Sequence, residues 1–163
     1  MLAIEPASPA DAPALATVFV RCWRDGYRGV VADQILDALA VDDAERRWHT
    51  LVAEHRVLVA RDGDGSAVGM VRFGADEDDP RLGHVFSLYV DPAASGAGVG
   101  RALLVHACAE LASSGFSRAT LWVFEANERA LRFYRANGWA PTGRTRVEPE
   151  WLAPELQLAT ELA

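Results

Sequence analysis

The stretch Leu88-Tyr89-Val90-Asp91-Pro92-Ala93-Ala94-Ser95-Gly96-Ala97-Gly98-Val99-Gly100-Arg101 decides the fold, because it turns a strand into a helix through alternating glycines. Leu88 to Val90 ends a β-branched and aromatic run that begins at His84, and Asp91-Pro92 stops it. Downstream, Leu104, Ala107, Cys108 and Leu111 recur on one helix face from about Val99 to Ser114, with Gly115 as the stop. Such a turn leaves successive backbone N–H groups unpaired at a helix N-terminus, where the macrodipole adds about half a positive charge. Gly96, Gly98 and Gly100 allow close approach or positive φ angles, so the segment Ser95, Gly96, Ala97, Gly98, Val99, Gly100 and Arg101 can hold phosphate oxygens.

Taken alone, the turn is compatible with three classes of phosphate site and with a plain helix-capping loop. A nucleotide triphosphatase needs GK followed by Ser or Thr, which is missing here. A dinucleotide fold opens on its glycine turn and spaces the third glycine differently, whereas this turn follows several strands.

Upstream of the turn, Leu2 to Ile4 predicts a first strand, and Ser8-Pro9 with Asp11 predicts a helix start before the apolar-periodic run Ala14 to Trp23. Asp42 to Glu54 predicts a second helix. Val57 to Ala60 and Ala67 to Phe73 predict a hairpin across Asp62-Gly63-Asp64-Gly65. Downstream come a strand over Ala119 to Phe124, a helix capped by Asn127 and ending at Asn137-Gly138, a short strand from Trp139, and a last strand over Leu156 to Leu162. The acidic run Asp76 to Asp79 and the stretch Pro141 to Pro154 read as loops, and neither marks a domain boundary.

A chain of 163 residues with 50% hydrophobic content suits one domain spanning 1–163. The net charge of −7 gives no global support for nucleic acid or an anionic membrane as partner. It does not forbid a local anion site, since exposed charges are screened beyond about 8 Å at physiological salt. Cys22 and Cys108 lack CxxC or Cys/His spacing, and the four histidines lack HxxxH spacing, so neither a disulfide framework nor a metal is expected. With no signal-like start and no apolar run long enough for a bilayer, a cytoplasmic location is expected. A homodimer is left open.

Three motifs occur in order: Leu88 to Pro92, Gly96 to Leu104, and Asn127-Glu128-Arg129-Ala130-Leu131-Arg132-Phe133-Tyr134 followed by Asn137-Gly138-Trp139. Together they resemble the GCN5-related N-acetyltransferase (GNAT) family, with the specific part between His84 and Trp139. The resemblance implies an α+β fold of three α/β/α layers, with a mixed, mostly antiparallel sheet of six or seven strands flanked by helices. It also implies acetyl-CoA as co-substrate, lying in a wedge where the fourth and fifth strands splay apart. On this resemblance the backbone of Leu88, Tyr89 and Val90 pairs with the pantetheine arm, the turn from Ser95 to Arg101 takes the pyrophosphate, and Asn127 and Ala130 meet the pantetheine from the other side. The family turn usually begins with Gln or Arg where this chain has Ser95, which shifts the burden to Arg101 or to Arg129 and Arg132.

Acyl transfer to an amine needs a neutral nucleophile, a donor for the developing oxyanion and a proton for the departing thiolate. Tyr134 stands where the family carries its usual general acid, and a backbone N–H near Tyr89 or Val90 is the expected oxyanion donor. Many relatives carry a glutamate where this chain has His84, and an imidazole of pKa about 6.5 can take that proton. Glu77 or ordered water is the alternative base. The amine acceptor is expected among Trp23, Tyr27, Arg28, Trp48, Arg146, Glu148 and Trp151, a set that suits a cationic amine. The departures at Ser95 and His84 keep a second reading open, a catalytically weak acyl-CoA-binding regulatory module.

Overall fold

The computed structural model describes residues 1–163. Its elements are β1 (Ala3–Pro6), α1 (Ala12–Gly26), α2 (Asp33–Asp37), α3 (Val41–Glu54), β2 (Arg56–Arg61), β3 (Ala67–Ala75) and β4 (Gly83–Val90). They continue with α4 (Val99–Ser113), β5 (Arg118–Phe124), α5 (Glu128–Ala136), β6 (Ala140–Val147) and β7 (Pro154–Glu161). The seven strands form one sheet in the order β1-β2-β3-β4-β5-β7-β6. Every neighbouring pair is antiparallel except β4 and β5, which run parallel because α4 carries the chain between them.

Period-2 alternation explains how one sheet serves two cores. Leu58, Val71, Phe73 and Val85 meet Leu103, Leu104, Ala107 and Leu111 of α4, and Leu131 and Tyr134 of α5 join that cluster. On the other face Val57, Val59 and Met70 meet Leu15, Phe19 and Trp23 of α1 and Trp48 of α3. The sheet therefore sits between helix layers, as the family resemblance implies.

Two features open the sheet where a ligand would enter. The pairing of β4 with β5 covers only Gly83 to Val85 against Ala119 to Leu121, so Phe86 to Val90 and Trp122 to Phe124 face each other without a ladder. Beyond that point β5 follows β7, to which it is paired from Arg118 to Phe124. An irregularity between Arg72 and Phe73 in the β3–β4 register adds local twist to β4 at the start of the gap.

The stretch Pro141 to Pro154 departs from its reading as a loop. Residues 140–147 form β6, the sheet's edge strand, and only 148–153 connect it to β7. The strand is nearly all exposed, its register shifts between Pro141 and Thr145, and Gly143 there takes a φ of 91°. A bulged, one-sided edge strand has no apolar alternation to read. The short helix α2 was likewise unsignalled, since Leu36 is its one buried residue.

Candidate functional site

The glycine turn adopts the geometry its sequence requires. Gly96 and Gly98 have φ of 84° and 79°, in the left-handed region, and Gly98 is the residue before α4. The N–H groups of Gly96, Gly98, Val99, Gly100 and Arg101 have no backbone acceptor. Gly100 is under neither constraint, since its φ is not positive and a Cβ there would meet the Phe133 ring at an ordinary contact distance of 3.4 Å. Asp91 secures the entry to the turn by accepting from the Ala93 N–H at 2.9 Å and pairing with Arg21 of α1 at 2.8 Å. Ser95 is not isolated, because the Arg129 guanidinium of α5 donates to its hydroxyl. Arg132 lies instead toward Glu128 at 3.9 Å, on the exposed side of α5.

The gap between β4 and β5 widens into a cleft of about 650 Å³. Leu88, Tyr89, Asn127, Ala130, Tyr134 and His84 all line it. Asn127 caps α5 by accepting from the Ala130 N–H at 3.1 Å, which fixes the helix that presents Tyr134. Val90 and the turn from Ser95 to Arg101 are not part of the cleft lining and continue from the far end of β4. A long ligand with an anionic group at one end fits this course: an unpaired strand edge leads to a cluster of free N–H donors.

Tyr134 is 9% exposed, and burial, with Tyr89 and Cys22 nearby, pushes its phenol well above the ordinary value. Burial pushes Tyr89 up to about 12. Both phenols therefore hold their protons across the working pH range.

His84 is 6% exposed and belongs to a buried triad that its position in the sequence did not disclose. The Thr120 hydroxyl donates to Asp76 Oδ2 at 2.7 Å, so at 2.7 Å it accepts from His84 Nδ1–H. Nδ1 also stands 3.1 Å from the same carboxylate oxygen. The proton thus sits on Nδ1 and Nε2 keeps its lone pair. Burial drives the imidazole pKa down to about 4, against the pull of the Asp76 charge, so His84 is neutral at pH 7. Asp76 is itself buried, but hydrogen bonds from Thr120 and from the N–H groups of Asp78 and Asp79 overcome that burial and hold it below the ordinary carboxylate value. One residue of the acidic run is thus an internal anchor rather than part of a solvated loop.

The remaining wall is aromatic and charged. Trp23 packs against Trp151 at 4.3 Å and Tyr27 at 4.4 Å between ring centroids, and meets Phe124 edge-on at 5.9 Å. Trp23, Tyr27, Trp48, Arg146, Glu148 and Trp151 line the cleft, whereas Arg28 does not. Arg28 is spent on Asp33 at 3.2 Å and Asp37 at 2.7 Å, anchoring α2 at the surface. Residues the sequence reading passed over also line the cleft: Arg72, Ser87, Trp122 and Glu155. Glu155 is held at 2.6 Å by Arg146, which lies over the Trp122 ring at 4.4 Å, and burial raises its pKa despite that partner. An alternating strand beginning at Pro154 offered the only signal for it, through a carboxylate at an inward position.

A turn of free N–H donors, an open strand edge and a cleft walled by aromatic and charged side chains stand in series, a layout that suits a transferase working between a coenzyme and a second substrate. Residues 15–139 match the acetyltransferase (GNAT) family model, and the chain belongs to that family of N-acetyltransferases. It is an enzyme that uses acetyl-CoA as co-substrate. Among its relatives, the uncharacterized N-acetyltransferase YuaI of Bacillus subtilis strain 168 is 30% identical over 138 residues, 83% of this chain and 79% of that one. A mycothiol acetyltransferase of Propionibacterium freudenreichii subsp. shermanii is 41% identical over 63% of this chain, which spans only 34% of that longer protein. The PaiA N-acetyltransferase of Thermoplasma acidophilum, solved in complex with coenzyme A, shares the fold with a TM-score of 0.83, 16% identity and 99% coverage of both chains. No helix of the chain is long and apolar enough to cross a membrane.

Proposed function

We propose that residues 1–163 act as one N-acetyltransferase domain that acetylates a primary amine by direct attack, with Tyr134 as general acid and His84 as general base. The observation that carries this reading is the lodging of both side chains in the cleft at the β4–β5 gap, between the strand edge and the aromatic wall. Acetyl-CoA supplies an activated thioester carbonyl. The free N–H groups of Gly96, Gly98, Val99, Gly100 and Arg101 would hold its pyrophosphate within the turn from Ser95 to Arg101, with Arg129 assisting through Ser95. Leu88, Tyr89 and Val90 would pair with the pantetheine, and Asn127 and Ala130 would flank it.

The proton inventory then closes. As the amine nitrogen bonds to the carbonyl carbon and the carbon–sulfur bond breaks, the nitrogen sheds one proton to His84 Nε2 and Tyr134 donates one to the thiolate. An imidazole of pKa about 4 is too weak to strip a free ammonium. It therefore acts on nitrogen already acidified by bond formation, while the amine arrives neutral from solution. Asp76 stabilises the imidazolium through Nδ1 and Thr120, as a buried carboxylate does in a hydrolase triad.

Thiol release from acetyl-CoA across a panel of amines, with titrations of coenzyme A and ATP alongside, tests the reading. Turnover with at least one amine and binding of coenzyme A in preference to ATP are expected. Coenzyme A binding without any turnover would mark a regulatory module instead.

A further inference from the structure

Two buried side-chain atoms, Arg72 Nε and Ser87 Oγ, find no hydrogen-bond partner in the protein, whereas Trp23 Nε1 is within reach of the Tyr89 phenol, though outside strict hydrogen-bond geometry. Both residues line the cleft, and both groups can donate. Arg72 and Ser87 are register partners across β3 and β4. Tyr89, two residues beyond Ser87, meets the Trp23 ring edge-on with centroids 6.3 Å apart. The donors thus form a strip along the acceptor wall, directly beside the strand segment Leu88 to Val90. A buried donor left unsatisfied is destabilising, and folded proteins rarely leave two side by side.

Arg72 differs from the other arginines of the cleft. Arg47 takes Glu150 at 3.1 Å, and Arg146 takes Glu148 at 3.0 Å and Glu155 at 2.6 Å. Arg72 forms no ion pair. Its guanidinium lies over the Phe86 ring at 4.5 Å, where burial and the Arg47 charge weaken its hold on its proton, with Tyr89 and Glu77 pulling the other way. Arg144 of the same cleft takes Asp78 at 3.8 Å, so the inner wall carries one uncommitted cation, Arg72, and the uncommitted carboxylate of the rim is Glu77.

We propose that Arg72 and Ser87 seat a carboxylate of the acceptor, and that the acceptor is therefore a free amino acid. The inference rests on the acetyltransferase reading of this cleft. A guanidinium fork beside a hydroxyl donor matches a carboxylate in shape and charge. One uncommitted cation matches one negative charge, which favours a carboxylate over a dianionic phosphate. The rim then attracts the ammonium end of a zwitterion. A lysine side chain in a protein brings no carboxylate near its amine and would leave the strip unsatisfied.

The test compares phenylalanine, methionine and glutamate with their carboxamides in the thiol-release assay, using the full chain and its Arg72→Gln, Arg72→Lys and Ser87→Ala variants. The wild type should prefer the acids. Arg72→Gln should lose about 30-fold or more in kcat/KM toward acids, little toward amides, and nothing in coenzyme A affinity, while Arg72→Lys restores part of the loss. A second readout needs no turnover: quenching of the cleft tryptophans by N-acetylmethionine or its amide in the presence of coenzyme A. The acid should bind about tenfold tighter or better, and Arg72→Gln should abolish the difference. Turnover of carboxylate-free amines in preference to amino acids, or equal loss toward acid and amide in the variants, overturns the subsite and leaves the transferase standing. Acid-selective quenching without thiol release from any amine supports the subsite and removes the transferase.

Discussion

The two parts of the proposed site are built from different materials. The part assigned to the coenzyme consists of main chain: the free N–H groups of Gly96, Gly98, Val99, Gly100 and Arg101 and the unpaired edge of β4. The part assigned to the acceptor is the cleft itself, lined by side chains drawn from α1, α3, β3, β4, β5 and β7, among them Trp23, Trp48, Arg72, Ser87, Trp122 and Glu155. A backbone site tolerates side-chain change as long as its φ angles and free edges survive. Ser95 illustrates this, since the turn keeps its shape and Arg129 supplies the nearby cation from α5. A side-chain site has no such tolerance, because each replacement changes what the cleft accepts. One family can therefore share a coenzyme while its members diverge in acceptor.

The comparison breaks most visibly at the seam between the halves, where Tyr134 stands. Tyr134→Phe keeps the ring in its cluster and removes only the hydroxyl, so kcat for acetyl transfer should fall by about 10²–10⁴ while coenzyme A affinity stays the same. A steady-state assay paired with a coenzyme A titration checks this, and equal loss in both would make Tyr134 a binding residue.

The buried triad comes next. His84 has a folded pKa of about 4, below the ordinary value of 6.5, so between those limits the unfolded chain binds a proton that the folded chain refuses. The contribution is fully present above pH 6.5 and is lost as pH falls toward 4, about 3 kcal/mol in all. Asp76, held below the ordinary carboxylate value of 3.8, adds its own loss only as pH falls below that value. Urea denaturation from pH 7 to 4 should show this drop in the wild type and a smaller one in His84→Gln. The catalytic profile should carry no limb at 6.5 that vanishes with His84; such a limb would contradict the buried, Asp76-held imidazole.

A smaller effect is expected at the edge of the turn. Arg129→Ala should weaken coenzyme A binding by about three- to tenfold, and Ser95→Arg in that background should restore much of it. No response to either change would confine the anion site to the main chain.

Which parts were legible in the sequence follows from the same division. The strand, the glycines and the Asn127 cap leave contiguous signatures, because each is dictated by local backbone needs. The mostly antiparallel sheet of six or seven strands and the splay of its fourth and fifth strands came through family resemblance, whereas the strand order did not. Asp76 was hidden inside an acidic run whose other members are solvated, and nothing in sequence tied it to Thr120, 44 positions away. Arg72 and Ser87 meet only through the β3–β4 register. The bulged β6 was concealed by its own exposure, having almost no inward face to mark it.

The most direct test of the account is to titrate coenzyme A, and pantetheine lacking the nucleotide, against the wild type and Gly98→Val. Gly98 has a φ of 79°, which a β-branched residue resists, and a Cβ there meets nothing, so the change acts on the turn alone. Coenzyme A should lose about tenfold or more in affinity while pantetheine binds as before. Equal affinity of the two proteins for coenzyme A, or equal loss for both ligands, would contradict the claim that this turn reads the pyrophosphate through its backbone.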